Sequence, residues 1–223
     1  MLIEMRKSAA VQAVSNESRR GFTLTEIAIV LGIVGLILGA IWVAAAAVYN
    51  NLRTSKATTE LLNVVQNVRA LYATSGVVDN QADMAMNANA AGPAQTYIQA
   101  GIFPADTLNN ADPTQATRAN DPWNGTIAVK AATLNTLNDS FTVGFDNVPQ
   151  QACVNMLVSN VGQGRDPGMV GAGAGAAGNF PGGAAPIAAF ANSAIVQNPA
   201  TQAQAQCNGA NNQNAVAFSF KVK

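Results

Sequence analysis

The chain has 223 residues, 11% of them charged, with 12 Lys and Arg against 12 Asp and Glu and no histidine. Zero net charge with no basic run offers nucleic acid no attracting field, so no specific nucleic-acid partner is expected. Without histidine the serines and threonines lack the usual activating base, the acids are dispersed and no Gly-x-x-x-x-Gly-Lys loop occurs, so the sequence predicts neither an enzyme nor a cofactor or metal site.

In chain order, Met1 to Gly21 is polar and slightly basic, with Arg6, Lys7, Arg19 and Arg20 set against Glu4 and Glu17. The positive-inside rule holds such a segment in the cytoplasm while the C-terminal part of the chain is exported. Gly21-Phe22-Thr23-Leu24-Thr25-Glu26 then runs into an uncharged apolar stretch from Ile27 to Leu52. At about 1.5 Å per residue that stretch exceeds a hydrocarbon layer of about 30 Å. A secretory signal places its cleavage site beyond the apolar core, whereas here the candidate cut, after Gly21, precedes it. Cleavage there discards residues 1–21 and keeps the apolar segment.

Glu26, the one acid, sits at the lip of that segment, and intramembrane acids mark function because an unpaired carboxylate in hydrocarbon costs several kcal/mol. Gly32, Gly35 and Gly39 give a small-residue face on which helices pack closely, although glycine is also common in membrane helices for no such reason. Trp42 and Tyr49 suit the outer interface. Beyond Leu52, Leu61, Val64, Val65, Val68, Leu71 and Tyr72 recur at helical spacing, with Lys56, Glu60, Asn63, Asn67 and Arg69 between them as the polar side. A single helix from Phe22 to Ser75 is therefore expected, stopped at Gly76 and about 80 Å long at about 1.5 Å per residue.

Asn80 to Ala119 shows no sustained period and reads as a connecting region with one short helix. Asp121-Pro122-Trp123-Asn124-Gly125 is a turn by its Pro and Asn-Gly chemistry. It leads to strands over 126–130 and 140–145, and then to a short helix over 150–158 that carries Cys153. Gly162 to Ala189, with its repeated glycines and prolines, reads as a loop or a locally folded excursion, and the polar region from Gly162 to Asn198 as exposed surface. Residues 215–223 alternate, with Val216, Phe218, Phe220 and Val222 on one side, as a final strand. Cys153 and Cys207 both lie beyond the anchor, so they read as a disulfide in an exported domain; two unrelated buried thiols are the alternative.

The Gly21 to Glu26 stretch followed by Ile27-Ala28-Ile29-Val30-Leu31-Gly32-Ile33-Val34-Gly35 resembles the processing and assembly motif of type IV prepilins, over about the first fifth of the chain. This resemblance implies an α+β pilin fold, in which a long N-terminal helix packs on an antiparallel sheet. It divides the chain into a leader (1–21), a transmembrane and polymerising half of the helix (22–52) and an exported globular domain (53–223) whose first part, 53–75, is the amphipathic half of the helix. It implies cleavage by a prepilin peptidase between Gly21 and Phe22, methylation of the Phe22 amine, and assembly through Glu26 into a helical homopolymer. Implied partners are the inner membrane before assembly and an assembly platform with its ATPase. The precursor belongs in the inner membrane and the product in a surface pilus. The 21-residue leader, Val43 where the shorter-leader class carries a proline, and the late cysteine pair resemble the type IVb subclass, from which Phe22 as first mature residue departs. Two other readings share parts of this pattern: a minor pilin or secretion pseudopilin, and a single-pass membrane protein displaying a binding domain.

Overall fold

The computed structural model describes residues 21–78, 97–161, 166–178 and 199–223. Residues 1–20 of the expected leader lie outside that description, as does most of the region expected to form exposed surface. The chain divides into two compact units, one ending at Ala45 and one spanning Ala46–Lys223.

One helix, α1 (Leu24–Leu71), contributes to both. It is apolar without amphipathic polarity to the membrane-length point and then becomes one-sided: Ala57, Glu60, Leu61, Val64, Val65 and Val68 are its buried residues. These positions match the i, i+3, i+4, i+7 pattern of a core-facing stripe. Glu60 was expected on the polar side; the stripe includes it, because Glu60 stands one turn from Ala57 and Val64. The helix ends near its expected stop, where the Gly76 amide donates to Tyr72 O over 2.8 Å and Gly76 takes a left-handed φ of 70°. Such a closing position suits a residue without a side chain. The described part of the connecting region holds a helical turn at 97–99 and a 3-10 turn at Ala105–Thr107.

In the second unit, β1 (Ala119–Asn120), β2 (Thr126–Ala132), β3 (Ser140–Pro149), β4 (Met169–Ala176) and β5 (Gln213–Lys221) form one antiparallel sheet in the order β1-β2-β3-β5-β4. Helix α2 (Gln150–Val161) comes directly after β3, and α3 (Pro199–Gln206) precedes β5. The last strand is thus internal, and its pattern shows why. Val216, Phe218 and Phe220 stand opposite Phe145, Val143 and Phe141 on one face. On the other face Thr142 and Ser219 are buried and share a hydroxyl–hydroxyl hydrogen bond of 2.8 Å. The aromatic face meets α1, since the Arg69 guanidinium lies over the Phe220 ring at 5.8 Å.

In the glycine-rich segment, expected as a loop or a locally folded excursion, the described residues hold a strand. Met169–Ala176 is edge strand β4, paired with β5 from Met169↔Phe220 to Ala176↔Asn214 with a bulge between Met169 and Gly171. Its Gly-Ala alternation lacks the branched residues that announce a strand, and pairing with the long, complete β5 supplies what propensity does not.

The expected turn at 121–125 is present. Asp121 Oδ1 accepts from the Trp123 and Gly125 amides, each at 2.8 Å, and Asn124 adopts φ 63°. A second polar device carries the β2–β3 hairpin, where the Asp139 carboxylate accepts from the Leu134, Asn135 and Thr136 amides.

Candidate assembly surface

Gly21 and Phe22 precede α1 in exposed, non-helical backbone, and Thr23 caps the helix. The cap is reciprocal. The Glu26 amide donates to Thr23 Oγ1 at 3.3 Å, while the Thr23 amide and hydroxyl both donate to Glu26 Oε2 at 2.9 Å. This is a capping box, in which each residue's side-chain oxygen accepts from the other's otherwise orphaned backbone amide. Thr-x-x-Glu before an apolar run is its sequence signature, one that the reading of Glu26 as an intramembrane acid passed over. Within the single subunit Glu26 is therefore already engaged, with Thr23.

From Leu24 on, the helix shows its apolar side chains to the outside over the first unit: Leu24 is 87% exposed, Leu36 75% and Trp42 79%. Mean hydropathy over its most apolar window is 2.8, and the helix is long and apolar enough to cross a membrane. An apolar surface of this extent on a water-soluble monomer would be anomalous, so lipid or like helices must cover it. Gly32, Gly35 and Gly39 lie three and four residues apart on one face, and a Cβ at any of them would meet nothing within 4 Å. Their lack of side chains therefore makes room for no neighbour among the described residues.

The apolar stretch closes at Tyr49 and Arg53. Arg53 donates to the Tyr49 hydroxyl at 2.8 Å, and its guanidinium carbon lies 4.3 Å from the ring centroid. An amphipathic ring tied to a cation is a chemistry suited to a headgroup layer.

The cysteines are joined. Cys153 on α2 and Cys207, immediately after α3, form a disulfide with Cα atoms 5.9 Å apart, and both are fully buried. The bridge fixes α3 against α2; this helix went unexpected in the sequence because Pro199–Gln206 carries few apolar residues. Gln206 then accepts from the Ala174 amide at 2.9 Å and so fastens β4 as well. On the other side of α2, Asn155 and Ser159 line a groove of about 440 Å³ with Asn51, Thr54, Ser55 and Thr58 of α1.

A helix that starts in a Thr-Glu capping box, continues in an exposed charge-free apolar run and ends under a disulfide-tied sheet is matched by two family models. The prokaryotic N-terminal methylation motif matches residues 17–42, and the model described as PilS N terminal matches residues 51–221, most of the chain. The chain is a type IV pilin of the PilS family. A pilin is a structural protein rather than an enzyme, and it self-assembles into pilus filaments. No curated protein matches the chain. Among solved structures the pilin is similar to the crystal structure of the type IV b pilin from Salmonella typhi, at 21% identity over 75% of this chain and 99% of that one, with a TM-score of 0.47. It is also similar to TcpA, a type IV pilin from Vibrio cholerae El Tor biotype, at 15% identity over 75% of this chain and 98% of the other, again with a TM-score of 0.47.

Proposed function

We propose that this pilin is the major subunit of a type IVb-like pilus, waiting in the inner membrane as a precursor and ending in a surface filament. A prepilin peptidase cuts after Gly21, the new Phe22 amine is methylated, and a platform protein with its ATPase draws the subunit into the fibre. The 21-residue leader and the late cysteine pair support the type IVb reading.

The observation that carries the proposal is the exposed apolar surface of α1 from Leu24 to Leu52, on which Glu26 is the only charged side chain. Lipid covers that surface before assembly, and neighbouring copies of the same helix cover it afterwards. Removal of the leader creates a cationic amine at Phe22, four residues from Glu26. In a stack of identical helices the Glu26 of one subunit pairs with the Phe22 amine of the next, which removes two charges from isolation and sets the axial register. Gly32, Gly35 and Gly39 let the helices approach.

Filaments sheared from cells and analysed by mass spectrometry test the proposal. Fibres composed mainly of this chain, beginning at methylated Phe22, are expected; an intact leader would convert the protein into a single-pass anchor, and a trace component would make it a minor subunit. Glu26→Gln is expected to be processed normally and to assemble poorly, and normal fibre yield from it would sink the pairing.

A further inference from the structure

Two acids, one on α1 and one in the β1–β2 turn, are buried with an oxygen left unpartnered among the described residues. Glu60, on the core-facing stripe of α1, is 4% exposed, and Asp121, at the turn, is 6% exposed. Three oxygens on these two segments, Glu60 Oε2, Asp121 Oδ2 and Asn120 Oδ1, are buried and have no hydrogen-bond partner among the described residues. The Trp123 indole N–H, two residues on from Asp121, is buried without a partner among the described residues as well. Burial of a charge without a partner is far costlier than burial of the neutral acid, so the arrangement favours protons on these carboxyls.

The surrounding charges do not relieve the pair. Lys56, one turn before Glu60 on α1, lies 3.6 Å from Glu60 Oε1 but only 3.2 Å from Asp106 of the 3-10 turn, and it is half exposed. Asp106 adds a like charge, and Asp146 on β3 adds another. Asp121 Oδ1 has its two amide donors, which favour the ionised form, yet desolvation outweighs them. Burial pushes Glu60 up to about 7, with Lys56 opposing, and pushes Asp121 up to about 7, with Glu60 and Asp146 adding to it. A metal ion is the less fitting occupant, because no three Asp, Glu, His or Cys side chains among the described residues gather into a group able to hold one.

We propose that Glu60 and Asp121 form a proton-held lock that seats α1 on the β1–β2 turn and loosens as the two carboxyls ionise. Linkage sets the direction. Both groups are held above their ordinary values of 4.5 and 3.8, so their contribution is complete below those values. It declines as pH rises, because the unfolded chain releases protons that the folded chain keeps, and it is lost once the pH passes about 7. The globular unit is therefore firmest in mildly acidic surroundings.

The test is the unfolding of the full chain in detergent, monitored by denaturant titration between pH 5 and pH 8. The folding constant is expected to fall with rising pH by up to about tenfold per unit for each proton held. Glu60→Gln with Asp121→Asn, which imitates the protonated pair, is expected to flatten that profile and to be the more stable protein at pH 8. A flat wild-type profile, or a slope that survives in the double variant, overturns the lock. Stabilisation at pH 8 by calcium or magnesium overturns it too, in favour of a cation site. Should the variant fail to fold, infrared spectroscopy of the wild type decides: a protonated-carboxyl band that persists to about pH 7 supports the lock, and its loss near pH 4.5 refutes it.

Discussion

Arg69, in the last turn of α1, grips Asp166 through two nitrogens, Nη1 to Oδ2 at 2.6 Å and Nη2 to Oδ1 at 2.9 Å. Its Nε donates to the carbonyl of Lys221 at 3.1 Å, so one guanidinium ties the helix to the end of β5 and to the turn before β4. The pair is mostly shielded, and a two-pronged charge-assisted contact of this kind outweighs an exposed ion pair. Arg69→Ala is expected to cost about 2–3 kcal/mol in unfolding free energy, since it strands the Asp166 carboxylate. Arg69→Lys is expected to recover little, because an ammonium cannot reproduce the fork. Denaturant titration of the three proteins at neutral pH measures both.

The Arg69 guanidinium beside Asp166 holds that carboxyl below its ordinary range. Its contribution is present above the usual aspartate value of 3.8 and is lost as pH falls through the lowered folded value. Glu60 and Asp121 work in the opposite direction at higher pH, so stability should be greatest in between, in mild acid. Asp166→Asn is expected to weaken the protein at neutral pH and to lessen the drop below about pH 4, which Asp112 and Asp139, also held low, share, leaving the decline toward pH 8 intact. A profile whose acid limb is unchanged by Asp166→Asn would locate that limb elsewhere.

Gly168 lies under the same guanidinium. A Cβ there would collide with Nη2 of the Arg69 guanidinium, which one hydrogen bond from each of Nη1 and Nη2 to Asp166 keeps from moving aside. Gly168→Ala is expected to cost about 1–3 kcal/mol by overpacking. In an Arg69→Ala background the obstruction is gone, so most of that cost should vanish. The double-mutant cycle reads the coupling directly, and an undiminished cost in the second background would mean that Gly168 matters for its backbone instead.

How much of the fold was legible in the sequence depended on how each element is specified. The helix, the strands that begin at Thr126 and Ser140, and β5 carry their own periodicity; the structure extends the first two strands, to Ala132 and Pro149, and shifts the last from 215–223 to Gln213–Lys221. Met169–Ala176 and Pro199–Gln206 do not. One is a strand only because β5 offers it a complete edge, and the other is a helix placed by the Cys207 bond and the Gln206 contact to Ala174. Glu60 and Asp121 escaped for a related reason, since charge suggests a solvated face until two distant segments meet over it. The capping box of Thr23 and Glu26 was local and could have been read from spacing alone.

Loss of the Cys153–Cys207 bond frees a loop of 54 residues in the unfolded chain, worth about 4 kcal/mol in the chain-entropy model. Because Cys207 comes straight after α3 and Gln206 of that helix holds β4, the damage should start at the β4 edge rather than spread evenly. Cys153→Ser with Cys207→Ser is expected to lower the unfolding midpoint markedly and to raise amide exchange in β4 before β2. Uniform exchange across the sheet would show that the bridge acts on the unfolded chain alone.

Gly35 and Gly39 separate what the subunit needs from what the filament needs. A methyl group at either position meets nothing within 4 Å among the described residues, so alanine there creates no clash with them. Each replacement also removes a residue that costs a helix about 1 kcal/mol relative to alanine. A Gly35→Ala, Gly39→Ala chain should therefore be at least as helical and as stable in detergent as the wild type. Where helices approach through that face, however, two methyl groups hold the backbones apart and forfeit contact along the interface. The expected outcome is normal processing and subunit stability with filament yield reduced several-fold, read from sheared fibres and from circular dichroism of the purified subunit. If the double variant assembled as well as the wild type, the glycines would be ordinary residues of a membrane helix, and the close-packed face of the fibre would have to lie elsewhere on α1.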